Sequence, residues 1–527
     1  MKDRNTFNDR VNALNLNVDA LQEVRVHLPS GPHIIPNQEG KKASLQIYSA
    51  ITTNDGYISV NEAKKGLSIF GDELRNEARI NPGKHPNIDI LENIVSSDSK
   101  LRVDVIRKNS EMTLPERIAE AIPYAINEFK TPFIIFDESG IRNTLKQIYN
   151  AFSWNPGFKE FFAVKACPNP YILKICKEER AGADCSSEPE LILAGNVVGM
   201  DIMFTSNNTP LNEFIRANEL EAIINFDDIT HIPRFIDAIG KAPEIGCVRY
   251  NPGPERVGNS IIGNPAEAKY GMTKKQVFDA FKFLKEKGLR RFGLHTMIAS
   301  NELNPEYHIE TARMLFNLVL DVKKNLGIDI EFVNMGGGWG VNYKPEQKPI
   351  NPDEIGQGVK EAYKQIVEKN GIAPIKIFME NGRFVTGPNG WLVTNVVNEK
   401  HIYKEYLGVD SSMADFMRPG VYGAYHHGII LGKENTPHDF VYDVVGSLCE
   451  NSDKFAVNRA LPKTKIGDTF VLCGAGAHGR AMGFNYNGKL RCKELLLREN
   501  RKVEMIRRAE RATDYFSTLS FLGSKFF

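Results

Sequence analysis

The stretch Phe161-Phe162-Ala163-Val164-Lys165-Ala166 reads as an apolar strand giving way to a turn, with a lysine amine at the point of change. A lysine in such a place most often marks only where the chain reaches water. Three later segments alter that reading: Gly336-Gly337-Gly338, Glu380-Asn381-Gly382-Arg383 and Cys449-Glu450. An amine, a glycine run whose unshielded N–H groups suit phosphate oxygens, a carboxylate and a thiol are what a lysine-bound aldehyde cofactor requires. Together, in this order, they point to pyridoxal phosphate.

Outward from Lys165, short apolar runs recur at 132–136, 161–164, 201–204, 222–225, 245–250, 291–295, 330–334 and 376–380. Amphipathic stretches such as 274–287 and 305–326 lie between them. About eight strand–helix repeats predict an α/β fold with a (β/α)8 barrel of TIM type; a doubly wound open sheet is the alternative. After about residue 395 the pattern turns to β, at 391–397, 441–445 and 470–473, with turns such as Tyr486-Asn487-Gly488. This predicts a smaller C-terminal β-domain. A barrel places its active site at the C-terminal ends of its strands, where Lys165, His295, the glycine run and Glu380 all fall.

Residues 1 to about 110 are different in character. Positions 29–42 read as loop, and Ser59-Val60-Asn61-Glu62 as a capping box opening a helix to about Ala78. Asn54-Asp55-Gly56 half-resembles a calcium loop, but Ile51 and Thr53 stand where its first carboxylates belong. A small, partly helical appendage is the simpler reading.

A chain of 527 residues exceeds one compact domain, so two or three are expected. The net charge of +1, with no long basic run, gives no footprint for nucleic acid or an anionic membrane. No apolar stretch approaches the ~20 residues of a membrane span, and residues 1–17 have no apolar core of a signal peptide. Seven scattered cysteines argue against a disulfide framework and for a reducing, cytoplasmic compartment. No CxxC pair occurs and His426-His427 lacks partners at ligand spacing, so no metal site is expected. Gly474-Ala475-Gly476-Ala477-His478-Gly479 satisfies the dinucleotide pattern GxGxxG, yet 484–488 breaks the helix that NAD binding would need.

Six motifs occur in order: Ala163-Val164-Lys165-Ala166, Asp184-Cys185-Ser186-Ser187, Gly336-Gly337-Gly338-Trp339-Gly340, Glu380-Asn381-Gly382-Arg383, Arg418-Pro419-Gly420-Val421-Tyr422 and Cys449-Glu450-Asn451-Ser452-Asp453. From about 131 to 516 they make the chain resemble the fold-type III pyridoxal-phosphate decarboxylases, most of all the diaminopimelate decarboxylases. The first hundred residues stay unexplained. The resemblance implies an alanine-racemase-like barrel at 136–395, a β-domain at 396–527 joined by a lead-in at 111–135, and an N-terminal extension at 1–110. It implies that Lys165 carries the cofactor as a Schiff base and that Glu380 bonds the pyridine nitrogen. Gly336, Gly337, Gly338 and Ser300 would hold the phosphate, with Asp184, Asn381, Gly382, Arg383 and His478 completing the cofactor site. Arg383, Arg418, Tyr422 and Glu450 would bind substrate. Cys449 would return a proton to Cα, and with Glu450 would come from the partner subunit of a homodimer.

The implied reaction converts meso-2,6-diaminopimelate to L-lysine and carbon dioxide. The alternatives are decarboxylation of D-ornithine or D-lysine to putrescine or cadaverine and, from another class, a catalytically silent binding protein. A racemase of this fold type should lack the Cys449-Glu450 segment. Two departures bear on the substrate. Met297 stands where the family has a histidine that stacks on the cofactor, a role that His295 does not take over, and His478 replaces a tyrosine. A thioether can pack on a ring but cannot donate a hydrogen bond or titrate.

Overall fold

The structure, a computed structural model, describes residues 6–520 except positions 15, 17, 19, 20, 54, 55, 108–111, 259, 260, 262 and 373. Asn54 and Asp55 of the half calcium loop thus lie outside the described residues. The first module is an antiparallel sheet of β1 (Leu21–Leu28), β2 (Gly31–Pro36), β3 (Tyr57–Ile58) and β4 (Leu101–Arg107), ordered β2-β1-β4-β3. Helices Lys42–Ile51, Val60–Ile80 and Pro86–Ser96 bury a separate core that includes Val24, Tyr48, Leu67 and Leu91. Ser59 is the N-cap of the second helix, but its hydroxyl bonds the Glu62 carboxylate directly, so the expected reciprocal capping box does not form. That helix breaks at Gly71 (φ +82°).

Eight parallel strands close a barrel: β6 (Lys159–Ala163), β7 (Gly182–Cys185), β8 (Ile202–Thr205), β9 (Ile223–Phe226), β10 (Ile245–Arg249), β11 (Arg291–His295), β12 (Ile330–Asn334) and β13 (Lys376–Met379). The barrel reading holds, with one exchange of strands. The run at 132–136 is β5 (Phe133–Asp137), which lies outside the barrel, and β7 takes the eighth place. The reason is local composition. Gly182-Ala183-Asp184-Cys185 is too small and polar to read as an apolar run, and it is buried only because the barrel surrounds it.

Successive strand residues face opposite sides, so i and i+2 share the barrel interior. Phe161, Met203, Cys247, Phe332 and Phe378 form one apolar layer there, with Phe332 and Phe378 stacked at 4.4 Å between ring centres. A side chain at Gly293 would collide with the Phe332 ring, so the glycine is what admits it. Two residues further along the same strands come Ala163, Thr205, Arg249, His295, Asn334 and Glu380. Strand period alone thus seats a polar layer on an aromatic floor.

The third module is a nine-stranded sheet. It contains β14 (Gly390–His401), β15 (Glu405–Val409), β16 (Gly428–Ile430), β17 (Phe440–Val445), β18 (Lys454–Leu461), β19 (Thr469–Cys473), β20 (Lys493–Leu497) and β21 (Val503–Arg507), together with β5. The wholly buried β5 runs antiparallel to β14 and parallel to β20, so the sheet is completed by residues that precede the barrel. No helix among the described residues is long and apolar enough to cross a membrane.

The first and third modules meet at Gly56, whose φ is +81° and whose added β-carbon would stand 2.6 Å from Asn458 Nδ2. At Gly40 (φ +79°) the same carbon would meet nothing within 4 Å. Both Gly→Ala variants should lose roughly 1–3 kcal/mol to backbone strain. Gly56→Ala should melt lower than Gly40→Ala in thermal denaturation, since only it also presses on the neighbouring module.

Candidate active site

Lys165 lies in the single turn Val164–Ala166 that follows β6, and its amine donates to Asp184 Oδ2 on β7 at 2.9 Å. Half of the lysine side chain faces open space, whereas Asp184 is buried. Burial pulls the amine's pKa down, but Asp184 and Glu380 outweigh it, so Lys165 stays above its ordinary value. Burial and the Glu380 charge push Asp184 up, with Lys165 pulling the other way. Its second oxygen, Oδ1, has no hydrogen-bond partner among the described residues.

Glu380, at the end of β13, accepts from Asn334 Nδ2 at 2.7 Å and lies 3.1 Å from His295 Nε2. Burial alone would raise its pKa, yet His295, Lys165 and the Asn334 bond together hold it below the ordinary carboxylate range. A wholly buried acid is thereby kept ionised, facing the barrel mouth. The adjoining turn is held from beneath by Glu160 of β6, which accepts both the backbone N–H and the Nδ2 of Asn381. Burial drives Glu160 up to about 8.

The glycine run is packed on all sides. Side chains at Gly337 and Gly338 would strike the carbonyls of Glu380 and Ala299, and one at Gly336 that of Thr296. The first two amides are engaged: Gly336 N–H donates to Asn334 Oδ1 at 2.9 Å and Gly337 N–H to Met297 Sδ at 3.2 Å. The thioether that stands at the family's histidine position therefore works as an acceptor that clamps the run. His295 does not share that position; it is part of the Glu380 cluster. Arg249 of β10 pairs with Asp227 at 3.2 Å and lies 4.2 Å over the Tyr270 ring.

A second cluster surrounds Arg383 and Arg418. Arg383 Nη1 donates to Tyr343 OH at 3.1 Å, and Arg418 Nε to His426 Nε2 at 3.4 Å. Neither guanidinium has a carboxylate partner among the described residues. Burial, with Arg383 nearby, pulls Arg418 down to about 10. The His478 backbone N–H donates to Ala166 O, which brings His478 beside the Lys165 turn. Burial and the charges of Arg383, Arg418 and Lys165 keep its imidazole far below its usual pKa, hence neutral. The glycines around it serve packing: one side chain at Gly476 would hit Thr386 O and another at Gly474 the Tyr343 ring. Only a short turn, Arg480–Met482, follows, so the GxGxxG segment opens no helix.

Cys449, Glu450 and Tyr422 stand apart. All three are exposed, and Cys449 is steadied by its N–H to Asn487 Oδ1 at 2.8 Å. Among the described residues no hydrogen bond or ion pair joins them to the Lys165 cluster, although Tyr422 ends the short helix that Arg418 begins. Ser300 lies in the turn after β11 and is partly buried. Sequence reading missed Asn334, Glu160, Tyr343, His426 and the Asp227–Arg249 pair. Of these, Asn334 could have been found, because it ends an apolar strand two residues before the glycine run.

Comparison with known proteins bears on this arrangement. Residues 138–387 match the model of the pyridoxal-dependent decarboxylase, pyridoxal binding domain. Residues 7–105 match a family described as an uncharacterized protein conserved in bacteria. Protein TabA of Pseudomonas amygdali pv. tabaci is 40% identical over 391 residues, 74% of this chain and 91% of that protein. Diaminopimelate decarboxylase of Methanothermobacter thermautotrophicus is 30% identical over 402 residues, 75% of this chain and 93% of the enzyme. The crystal structure of diaminopimelate decarboxylase from M. jannaschii superposes with a TM-score of 0.71 at 26% identity, covering 76% of this chain and 95% of that one. This chain belongs to the pyridoxal-dependent decarboxylases. It is a carboxy-lyase of the diaminopimelate decarboxylase type with pyridoxal phosphate as cofactor.

The residues present fit that cofactor: a half-open amine, a buried acid kept ionised, and the unsatisfied Asp184 Oδ1 meet at one barrel mouth. Glu380 is depressed by its partners, so its carboxylate persists as pH falls. Removing the Asn334 amide takes away one of those partners and lets Glu380 protonate at a higher pH. Asn334→Ala should therefore move the acid limb of kcat/KM toward neutral pH, which a pH–rate profile of the loaded enzyme measures.

Proposed function

We propose that this enzyme decarboxylates meso-2,6-diaminopimelate at its D-configured centre, giving L-lysine and carbon dioxide. The observation that carries the reading is the Arg383–Arg418 pair, two neighbouring guanidiniums with no carboxylate partner among the described residues. A guanidinium fork suits a distal carboxylate, and the substrate's second carboxyl group neutralises the pair. D-Lysine or D-ornithine would bring an ammonium to the same place, against like charge.

When bound, pyridoxal phosphate supplies the electron sink for the breaking Cα–carboxylate bond. Lys165 would anchor it, with Asp184 holding the amine in place, and Glu380 would accept from the ring nitrogen. Gly338 N–H, which has no acceptor among the described residues, and Ser300 are the candidates for phosphate contact in the glycine-run region. The Glu380-Asn381-Gly382 turn, propped by Glu160, would form one wall, and His478 another. Arg383, Arg418 and Tyr422 would orient the distal end of the substrate. Cys449 and Glu450 lie exposed in the loop between β17 and β18, so we assign them to the partner's site in a homodimer, where Cys449 would protonate Cα. Seven cysteines free of disulfides support a cytoplasmic setting.

Carbon dioxide release with meso-diaminopimelate, D-lysine and D-ornithine, measured side by side, tests the substrate. Turnover of diaminopimelate should exceed that of either diamine acid. Arg418→Met should raise KM for diaminopimelate at least ~10-fold, the scale of one lost charge-assisted pair. Turnover of a D-diamine acid without turnover of diaminopimelate would overturn the assignment. For the shared site, Lys165→Ala and Cys449→Ala should each be inactive alone. Coexpressed, they should recover up to roughly a quarter of wild-type activity, because half the dimers are hybrids with one intact site.

A further inference from the structure

The two guanidiniums of the distal subsite donate to groups that accept a hydrogen bond without carrying a charge. His426 is wholly buried, and its imidazole is fixed at both nitrogens. Nδ1 lies 3.1 Å from Cys473 O, which only accepts, so Nδ1 carries the proton. Nε2 is then an acceptor, and it takes the Nε–H of Arg418 at 3.4 Å. Tyr343 and Phe416 close on the ring, at 4.4 Å and 4.7 Å between centres. Burial and the Arg418 charge hold the imidazole far below its usual pKa, against the pull of Cys473 O. Tyr343 serves the other arginine. Its hydroxyl accepts from Arg383 Nη1 at 3.1 Å, while its ring lies 5.8 Å from the Arg418 guanidinium.

A carboxylate at either place would satisfy the same N–H groups and cancel the charge as well. A neutral acceptor satisfies the N–H and leaves the charge to a ligand. Engaging Arg418 through Nε also decides its shape. Among the described residues no hydrogen bond uses its Nη1 or Nη2, so the end of the fork that matches two carboxylate oxygens stays open. We propose that His426 and Tyr343 are positioning residues that make the distal subsite select a carboxylate over an ammonium. This selection presupposes the distal-carboxylate role given above to Arg383 and Arg418, and it comes from the neutral groups that hold them.

L-Lysine and cadaverine differ only by one carboxylate. Their binding to the full-length, pyridoxal-phosphate-loaded enzyme, read as the change in cofactor absorbance, therefore isolates the selection without turnover. Wild type should bind L-lysine at least ~10-fold more tightly than cadaverine. His426→Gln keeps a neutral acceptor and should hold that ratio within about threefold. His426→Leu leaves the Arg418 Nε–H without an acceptor and should cut the ratio about fivefold. His426→Glu neutralises Arg418 and should bring the ratio to about one or below. Tyr343→Phe keeps the ring, frees Arg383 Nη1 and should cut the ratio about threefold. If the buried glutamate prevents folding, the glutamine and leucine variants decide. Equal weakening of both ligands with the ratio intact in the leucine variant, or a glutamine variant that falls as far as leucine, would overturn the proposal. A wild type without preference for L-lysine would overturn it together with the distal role of the arginines. Preference for L-lysine without turnover of meso-diaminopimelate would support the selection and remove only the substrate assignment.

Discussion

Two-residue periodicity in the barrel strands is the constraint on which the rest of this enzyme depends. Phenylalanines at 161, 332 and 378 occupy one inward layer and interlock, with Gly293 leaving room for the Phe332 ring. The next inward layer cannot then be filled by more aromatic bulk without closing the mouth, and polar side chains take it. These groups come from different strands and lie far apart in sequence; His295 and Glu380, for example, are 85 positions apart. A slip of one residue in any strand would turn its polar group outward and bring an apolar one in.

Placing acids in that layer has an electrostatic cost that the neighbours offset one by one. Glu380 is ionised because an imidazole, an amide and an amine converge on it, whereas Glu160, with only Asn381 to bond, is driven toward protonation. The arginine cluster is the counterpart, for it has aromatic and imidazole neighbours but no counter-charge among the described residues. A buried charge without its partner is a binding site in waiting, since a ligand that brings the missing charge recovers the desolvation cost.

Much of this was legible in the chain. Lys165, the glycine run and Glu380 lie in contiguous motifs whose chemistry makes sense locally, and seven of the eight barrel strands are apolar enough to stand out. Gly182–Cys185 was hidden because its burial owes everything to neighbours and nothing to its own hydrophobicity. The run at 132–136 reads as a barrel strand for the opposite reason: a wholly apolar strand is equally at home in a barrel or at the centre of a sheet. Glu160 carries no motif, being an ordinary residue whose importance is the partner it faces.

The amino-acid sequence by itself determined the cofactor chemistry, the strand–helix alternation and the order of the site's parts, because these rest on residue type and short spacing. Only the tertiary structure decided which strand belongs to which sheet, which acids are ionised, where Met297 puts its sulfur, and that the N-terminal module meets the last one at Gly56 and Asn458. Those outcomes depend on burial and on contacts between residues far apart in the chain, and neither quantity is written in any one segment.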